Sequence, residues 1–131
     1  MLHTISHNNP QLIAFEITGR IRLSNIKEVL DFVFDNLRNR NKPTNILCKM
    51  ENADIDVASF FNAKLIGIVR EEPWSNVKKV HRVAVIGESE FLKKMVRVDG
   101  YFAKLWNPEI DERFFPASQS EKAWEFVNDQ P

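Results

Sequence analysis

Two aspartates separated by one residue are the first candidates for chemistry in this chain. Asp54 and Asp56 follow an apolar segment, and carboxylates at this spacing could bind a hard cation together with loop carbonyls. The segment lacks the ligand number and the glycine turn of an EF-hand loop. Helix capping by Asp56 and solvation of Asp54 account for both residues more simply. We therefore predict no metal site, and the sequence indicates no cofactor.

The cysteine and the histidines show no catalytic arrangement. Cys48 lies in the middle of an apolar segment, where a cysteine is typically a small core residue rather than a nucleophile. His3, His7 and His81 are far apart and lack the spacing of metal ligands. We therefore predict that the protein is not an enzyme.

A group of basic residues and one tryptophan are candidates for binding. The basic group could contact anionic lipid or an acidic partner, although a solvated helix face is the more common role of such a pattern. Trp74 follows Pro73 in a polar segment, and it could close over a pocket, anchor an interface or fill the edge of the core. The basic group comprises Lys78, Lys79, Arg82, Lys93, Lys94, Arg97 and Lys104.

Length, charge and composition limit the class of protein. A chain of 131 residues with 44% hydrophobic residues fits one domain with its own core. The balance of 18 basic and 18 acidic residues argues against a dedicated nucleic-acid-binding protein. No apolar segment approaches the roughly 20 residues that span a bilayer. A single cysteine and the lack of a secretory signal predict a cytoplasmic protein.

The pattern that organises the chain is an apolar strand followed by an amphipathic helix. Residues 83–86 are consecutive apolar residues, which is typical of a strand covered on both faces, and Gly87 ends it. From residue 89 to about 105, apolar residues recur at helical spacing. Residues 2–6 and 11–18 predict an antiparallel hairpin whose second strand has one packed side and ends at Gly19.

The remaining elements alternate between helix and strand. Ser24 is the predicted N-cap of a helix over residues 25–40, with Ile26, Val29, Leu30, Val33 and Leu37 on its buried side and Phe34 at the margin. A strand over residues 44–51 and a loop over residues 52–56 follow. Residues 113–116 predict an edge strand, and a capping box over residues 118–121 begins a last helix that packs through Ala123, Trp124 and Val127.

The helix predicted over residues 57–70 is apolar around more than half of its circumference. One face of a sheet does not require so much apolar surface, so the excess could contact a second subunit, an apolar ligand or a neighbouring helix. The apolar residues are Val57, Ala58, Phe60, Phe61, Ala63, Leu65, Ile66, Ile68 and Val69.

Two motifs and the order of the elements carry a resemblance to a known family. The motifs are Val83-Ala84-Val85-Ile86-Gly87 before a helix, and Arg113-Phe114-Phe115-Pro116-Ala117 before a helix with Glu121, Ala123 and Trp124. On these residues the chain resembles the SpoIIAA-like proteins of the STAS superfamily, small bacterial domains related in fold to anti-sigma-factor antagonists and to the Sec14 lipid-carrier group. The similarity is strongest over residues 80–127, and over residues 11–70 it follows the order of elements.

The resemblance implies a non-enzymatic interaction or regulatory domain. Anti-sigma-factor antagonists carry an Asp-Ser-Ser/Thr-Gly motif with a phosphorylated serine after the third strand. Here Val57 follows Asp56, and Ser59 lies inside the predicted helix, so the resemblance does not extend to that switch.

The sequence therefore predicts an α/β fold with a single mixed, mainly parallel sheet, an N-terminal hairpin and about four helices. We expect one domain over residues 1–131, with a protein partner or a second copy as its ligand and no nucleic acid. An apolar small-molecule or lipid carrier is the alternative. A strand end that meets a helix start is a common ligand site in α/β folds. The predicted binding residues at that place are Asp54, Asp56, Val57, Phe60, Phe61, Leu65 and Trp74.

Overall fold

A five-stranded mixed sheet forms the centre of the computed structural model. The structure describes residues 1–50, 53–55, 75, 78–88 and 109–129, of which 23, 24, 26 and 53–55 are described by their backbone. The described strands are β1 (Leu2–Thr4), β2 (Leu12–Ile17), β3 (Gly19–Ile21), β4 (Thr44–Lys49), β5 (Ala53–Ile55), β6 (Val80–Gly87) and β7 (Asp111–Pro116). The described α-helices with defined bounds are α1 (Leu23–Arg38) and α2 (Ser120–Asn128), and a 3-10 turn, Ala117–Gln119, precedes α2.

The strand order of the main sheet is β1-β2-β4-β6-β7. β1 and β2 pair antiparallel, which confirms the predicted N-terminal hairpin. The pairs β2–β4, β4–β6 and β6–β7 are all parallel. β7 lies at the outer edge, as predicted for a strand that ends in a proline. The α/β class and the mainly parallel sheet are thus confirmed, and the strand order is new information.

Both faces of the sheet are buried, because α1 packs on one face and α2 on the other. Ile13, Phe15 and Ile17 of β2 belong to the core under α1, while Leu12 and Ala14 belong to the core under α2. The prediction that β2 has only one packed side is therefore wrong: the small Ala14 faces a second helix rather than solvent. The prediction of two covered faces is correct for β6, whose Val85 and Ile86 lie in opposite cores.

α1 begins earlier than the capping pattern predicts. Its N-cap is Arg22, and the backbone N–H of Arg22 donates to Oδ1 of Asn25 at 3.0 Å. The prediction of Ser24 as the N-cap is wrong, since the asparagine in the first turn supplies the hydrogen bond that ties down this end. The predicted buried side is confirmed at Val33 and Leu37, and Phe34, which was predicted at its margin, is buried as well.

A second sheet of two strands lies beyond the main one, so the prediction of a single sheet is incomplete. β3 and β5 pair in parallel, with Gly19 opposite Ala53 and Ile21 opposite Ile55. Gly19 has a φ of 83°, a backbone conformation that glycine adopts without strain, and it joins β2 to β3. The prediction of a loop over residues 52–56 is wrong for Ala53–Ile55, because backbone pairing with β3 orders this segment as a strand.

The last helix is found where the sequence predicts it, but its start differs. Its N-cap is Gln119 without a side-chain hydrogen bond, and the backbone N–H of Ser120 bonds to the carbonyl of Ala117. The capping box predicted from Ser118 is therefore wrong, since a 3-10 turn leads the chain into the helix. Ala123 and Val127 are fully buried against β4 and β6. The helices predicted over residues 57–70 and 89–105 lie outside the described residues.

A buried asparagine joins α2 to the sheet. Asn45 of β4 is 2% exposed, and its Nδ2 donates to the carbonyl of Val127 at 2.7 Å. Its Oδ1 accepts the backbone N–H of Arg82 at 3.0 Å. Both polar atoms of the carboxamide are thus hydrogen-bonded: Nδ2 donates to the last turn of α2, and Oδ1 accepts from β6.

A bulge in β6 makes the second of these bonds possible. Thr44 pairs with Val80, but Ile46 pairs with Val83, so β6 has one residue more than β4 between the two pairs. The extra residue removes the Arg82 N–H from the regular ladder, and Asn45 accepts it instead. The side chain of Arg82 then donates from Nη1 to the carbonyl of Phe126 at 3.0 Å and to Oδ2 of Asp129 at 3.1 Å.

The Asn45→Ala substitution should lower the free energy of unfolding by about 2–4 kcal/mol, because the Val127 carbonyl and the Arg82 N–H would both lose a buried partner. Urea unfolding followed by circular dichroism measures this difference. The matched control is Asn39→Ala, since Asn39 is exposed and its side chain donates to the carbonyl of Asp35 in α1, so about 0.5 kcal/mol is expected there. Equal effects of the two substitutions would contradict the role given to Asn45.

Candidate functional site

The carboxyl ends of the parallel strands meet at one edge of the sheet. β2 ends at Ile17, β4 at Lys49 and β6 at Gly87, and their shared direction brings these ends together. Met50 follows β4, is buried, and donates its backbone N–H to the carbonyl of Ile86 at 2.7 Å. We call this the carboxyl edge; it is the common ligand location in parallel α/β sheets.

The small β3–β5 sheet extends the main sheet past this edge. Glu16 pairs with Lys49 in the main sheet, and Gly19 pairs with Ala53 in the small one. The chain takes three residues from Glu16 to Gly19 and four from Lys49 to Ala53, so β3–β5 continues the β2–β4 ladder with one extra residue on the β4 side. At the carboxyl edge, β3 and β5 therefore form a two-stranded parallel extension of the sheet, which we call the ribbon.

The ribbon includes one of the predicted binding residues. Asp54 is the middle residue of β5 and lies opposite Arg20 of β3, whose side chain is exposed. Ile21, two per cent exposed, anchors the ribbon in the core under α1. The backbone thus places Asp54 on an ordered strand rather than in the predicted loop. The other predicted binding residues, Asp56, Val57, Phe60, Phe61, Leu65 and Trp74, lie outside the described residues.

An ion pair crosses the sheet beside the ribbon. Lys49 Nζ lies 3.7 Å from Glu16 Oε2, and the two side chains are 34% and 25% exposed. Ile86 is the next residue across the sheet in the same register, and it is fully buried. The face under α2 therefore changes from apolar to charged between β6 and β2 at this edge. A pair with this much exposure contributes little to stability, so its main effect is to make the surface polar.

Cys48 is held in a form that does not react as a nucleophile. It packs against the core under α1, and the residue as a whole is half-buried. Burial of the thiol, followed by the negative charge of Glu112, raises the pKa of Cys48 to about 12. The thiolate is the reactive species, so the thiol is inert near neutral pH. The interpretation of Cys48 as a core residue agrees with this environment.

The described histidines and carboxylates do not form a candidate metal site. His7 accepts the backbone N–H of Asn9 on Nδ1 at 3.1 Å, which gives it a role in the turn before β2. Within the described residues there is no group of three His, Cys, Asp or Glu side chains that could hold a metal ion.

Two members of the basic group have structural partners. Lys79 Nζ donates to the carbonyl of Leu37 at 2.9 Å, at the end of α1. Arg82 holds the end of α2, and its guanidinium lies 5.0 Å from the centre of the Phe126 ring. These contacts account for two residues that the sequence offered as a lipid-binding or solvated face. Lys93, Lys94, Arg97 and Lys104 lie outside the described residues.

Sequence reasoning missed the ribbon and the role of Asn45. The signal for Asn45 was present, because a polar carboxamide stands among apolar residues in a strand buried on both faces. The signal for β3 was hidden, because Gly19 indicates a strand end and the three residues of β3 are too few to show a period.

Strand order and two covered faces define an α/β domain with a mixed, mainly parallel sheet. The family model described as SpoIIAA-like matches residues 12–128, and the chain belongs to this family. Among solved structures, it is similar to an uncharacterised protein with a SpoIIAA-like fold from Shewanella loihica PV-4, with a TM-score of 0.62 and 15% sequence identity. That likeness covers 96% of this chain and 93% of the other. A search of curated proteins finds no match.

In the part of the chain that the structure describes, no helix has the length and apolar content needed to cross a membrane.

The raised pKa of Cys48 predicts a loss of stability at alkaline pH. The unfolded thiol ionises near pH 9, whereas the folded thiol keeps its proton up to about pH 12. Between these values the folded state binds more protons, so the free energy of unfolding falls as the pH rises, by about 1–2 kcal/mol at pH 10. Urea titrations of the wild type and of Cys48→Ala from pH 8 to pH 10.5 measure this difference. Parallel curves for the two proteins would show that Cys48 ionises normally.

Proposed function

We propose that this protein is a non-enzymatic, cytoplasmic interaction module of the STAS type that binds a protein partner at the carboxyl edge of its sheet. The observation that carries the proposal is the β3–β5 ribbon, which extends the β2–β4 ladder beyond the main sheet. The contact surface begins at Asp54 on this ribbon and continues into the apolar segment that the sequence predicts as a helix over residues 57–70.

Three features support binding at this place. A ribbon built by backbone pairing presents residues in a fixed position, which reduces the entropy lost on association. The exposed Arg20 and the Glu16–Lys49 pair supply polar groups at its side. The apolar residues that follow would supply the hydrophobic centre that protein interfaces need. Polar groups around an apolar centre are the usual composition of an interface.

The absence of catalysis in this proposal has its own support. The thiol of Cys48, which is the strongest nucleophile among ordinary side chains when ionised, is kept protonated by burial. Glu16 and Lys49 neutralise each other across two strands. The protonated thiol and the ion pair support a binding role rather than a catalytic role for the carboxyl edge.

A second copy of the chain is the first partner to test. We expect purified wild-type protein to form a ligand-free dimer in native mass spectrometry. The Phe61→Asp substitution should weaken the dimer by about 30-fold, because a charge in the centre of an interface costs about 2 kcal/mol or more. Asn8→Asp is the matched control, since it adds a charge at an exposed turn residue, and it should leave the dimer unchanged.

The outcomes of this experiment separate the proposed module from the alternative carrier. A bound lipid or other apolar small molecule that remains through gentle purification, and is lost in Phe61→Asp, would support the carrier. A folded Phe61→Asp protein with unchanged oligomeric state and unchanged ligand content would exclude this surface from both functions. Circular dichroism and the thermal midpoint show whether the variant is folded.

A further inference from the structure

A surface cleft lies at the amino end of the parallel strands, opposite the carboxyl edge. Its volume is about 220 Å³, and it is lined by Pro10, Gln11 and residues 40–44. Pro10 and Gln11 precede β2, and residues 40–44 connect α1 to β4. The cleft therefore lies at the opposite end of β2 and β4 from the carboxyl edge and is formed by different connections.

Arg40 is fixed across this cleft. Its backbone N–H donates to the carbonyl of Leu37 at 3.1 Å, and its Nη1 donates to the carbonyl of Pro10 at 2.6 Å. A guanidinium has five N–H donors in a rigid plane. The carbonyl of Pro10 is the one acceptor that the structure gives this guanidinium among the described residues, so most of its donors remain available. Partial burial lowers the pKa of Arg40, which reflects the loss of water around its charge.

The charges around the cleft favour an anion. Lys42 supplies a second cation and is exposed, and none of the described residues that line the cleft is acidic. Asp35 in the last turns of α1 forms an ion pair with Arg38. A small anion that entered the cleft would therefore meet two positive charges.

The end of α1 could oppose this binding, because the carboxyl end of a helix carries a partial negative charge. Here two carbonyls near the end of the helix already accept hydrogen bonds. The carbonyl of Leu37 accepts the backbone N–H of Arg40 and also Nζ of Lys79 at 2.9 Å. Asn39 Nδ2 donates to the carbonyl of Asp35 at 3.1 Å. With these carbonyls occupied, the helix end leaves the positive charges of the cleft largely uncompensated.

We propose that this cleft binds the phosphate group of a small phosphorylated molecule, with Arg40 as the planar donor and Lys42 as the second cation. A guanidinium matches the geometry of phosphate oxygens, and a flexible ammonium adds charge without a fixed direction. Asn41 and Gln11 line the same cleft and present polar groups to the remainder of the molecule. The shared chemistry is a phosphate dianion, either free as inorganic phosphate or carried as a monoester by an organic molecule.

The test is a titration of uniformly 15N-labelled full-length protein followed by amide chemical shifts. The two probes are inorganic phosphate and ribose 5-phosphate, and sodium chloride at equal ionic strength corrects for general salt effects. We expect saturable shifts at Gln11 and residues 40–44 with a dissociation constant in the millimolar range. Tighter binding of ribose 5-phosphate would identify an organic phosphate as the ligand class, and equal binding would identify the free anion.

Two variants and one control locate the site. Arg40→Gln should weaken binding by about tenfold, as expected for the loss of one charge-assisted contact. Lys42→Gln should weaken it by about threefold, and it keeps the proposal testable if Arg40→Gln fails to fold, because Lys42 is exposed. Lys27→Gln removes an exposed lysine near the other end of α1 and should leave binding unchanged. Non-saturable shifts, or equal losses in Lys27→Gln and Lys42→Gln, would overturn the proposal.

Discussion

The buried carboxamide of Asn45 is the constraint on which the described architecture depends. Parallel sheets are normally covered on both faces, and among the described residues the second face of this sheet is covered by α2, only nine residues long. So short a helix has little stability of its own. Its last carbonyls would also be orphaned against the sheet. The side chains of Asn45 and Arg82 satisfy two of these carbonyls, because they donate to the carbonyls of Val127 and Phe126.

The same constraint explains the bulge in β6. A regular ladder would direct the Arg82 N–H to β4 and leave Oδ1 of Asn45 without a donor. The extra residue in β6 turns that N–H to the carboxamide and brings the Arg82 guanidinium to the end of α2. The ring of Phe126 contacts this guanidinium and that of Arg113, whose distances from the ring centre are 5.0 Å and 4.6 Å. Apolar packing and buried hydrogen bonds thus act together to hold α2 against the sheet.

Sequence reasoning predicts the elements whose signal is periodic. The consecutive apolar residues of β6, the spacing of the buried residues in α1 and the proline of β7 were sufficient for the α/β class and the edge strand. Sequence reasoning failed where backbone pairing or a single side chain decides the structure. The ribbon of β3 and β5 forms by pairing between segments more than 30 residues apart. The N-caps of the two helices, Arg22 and Gln119, depend on local hydrogen bonds and turns. The patterns at Ser24 and Ser118 do not indicate these.

The candidate sites also include features that the sequence predicts and features that it does not. The carboxyl edge was predictable because parallel strands place their carboxyl ends together. The position of Asp54 on a strand was not predictable, because it depends on backbone pairing with Arg20 and its neighbours in β3. The cleft at the opposite edge was also not predictable, because Pro10 and Arg40 meet only through the fold.

Native-state hydrogen exchange of the Arg82 amide tests this account most directly. If the carboxamide of Asn45 holds α2 and β6 together, this amide should exchange as slowly as the ladder amides of β6, near the rate set by global unfolding. Exchange of the Arg82 amide at the rate of an exposed turn amide, while its neighbours in β6 remain protected, would contradict it.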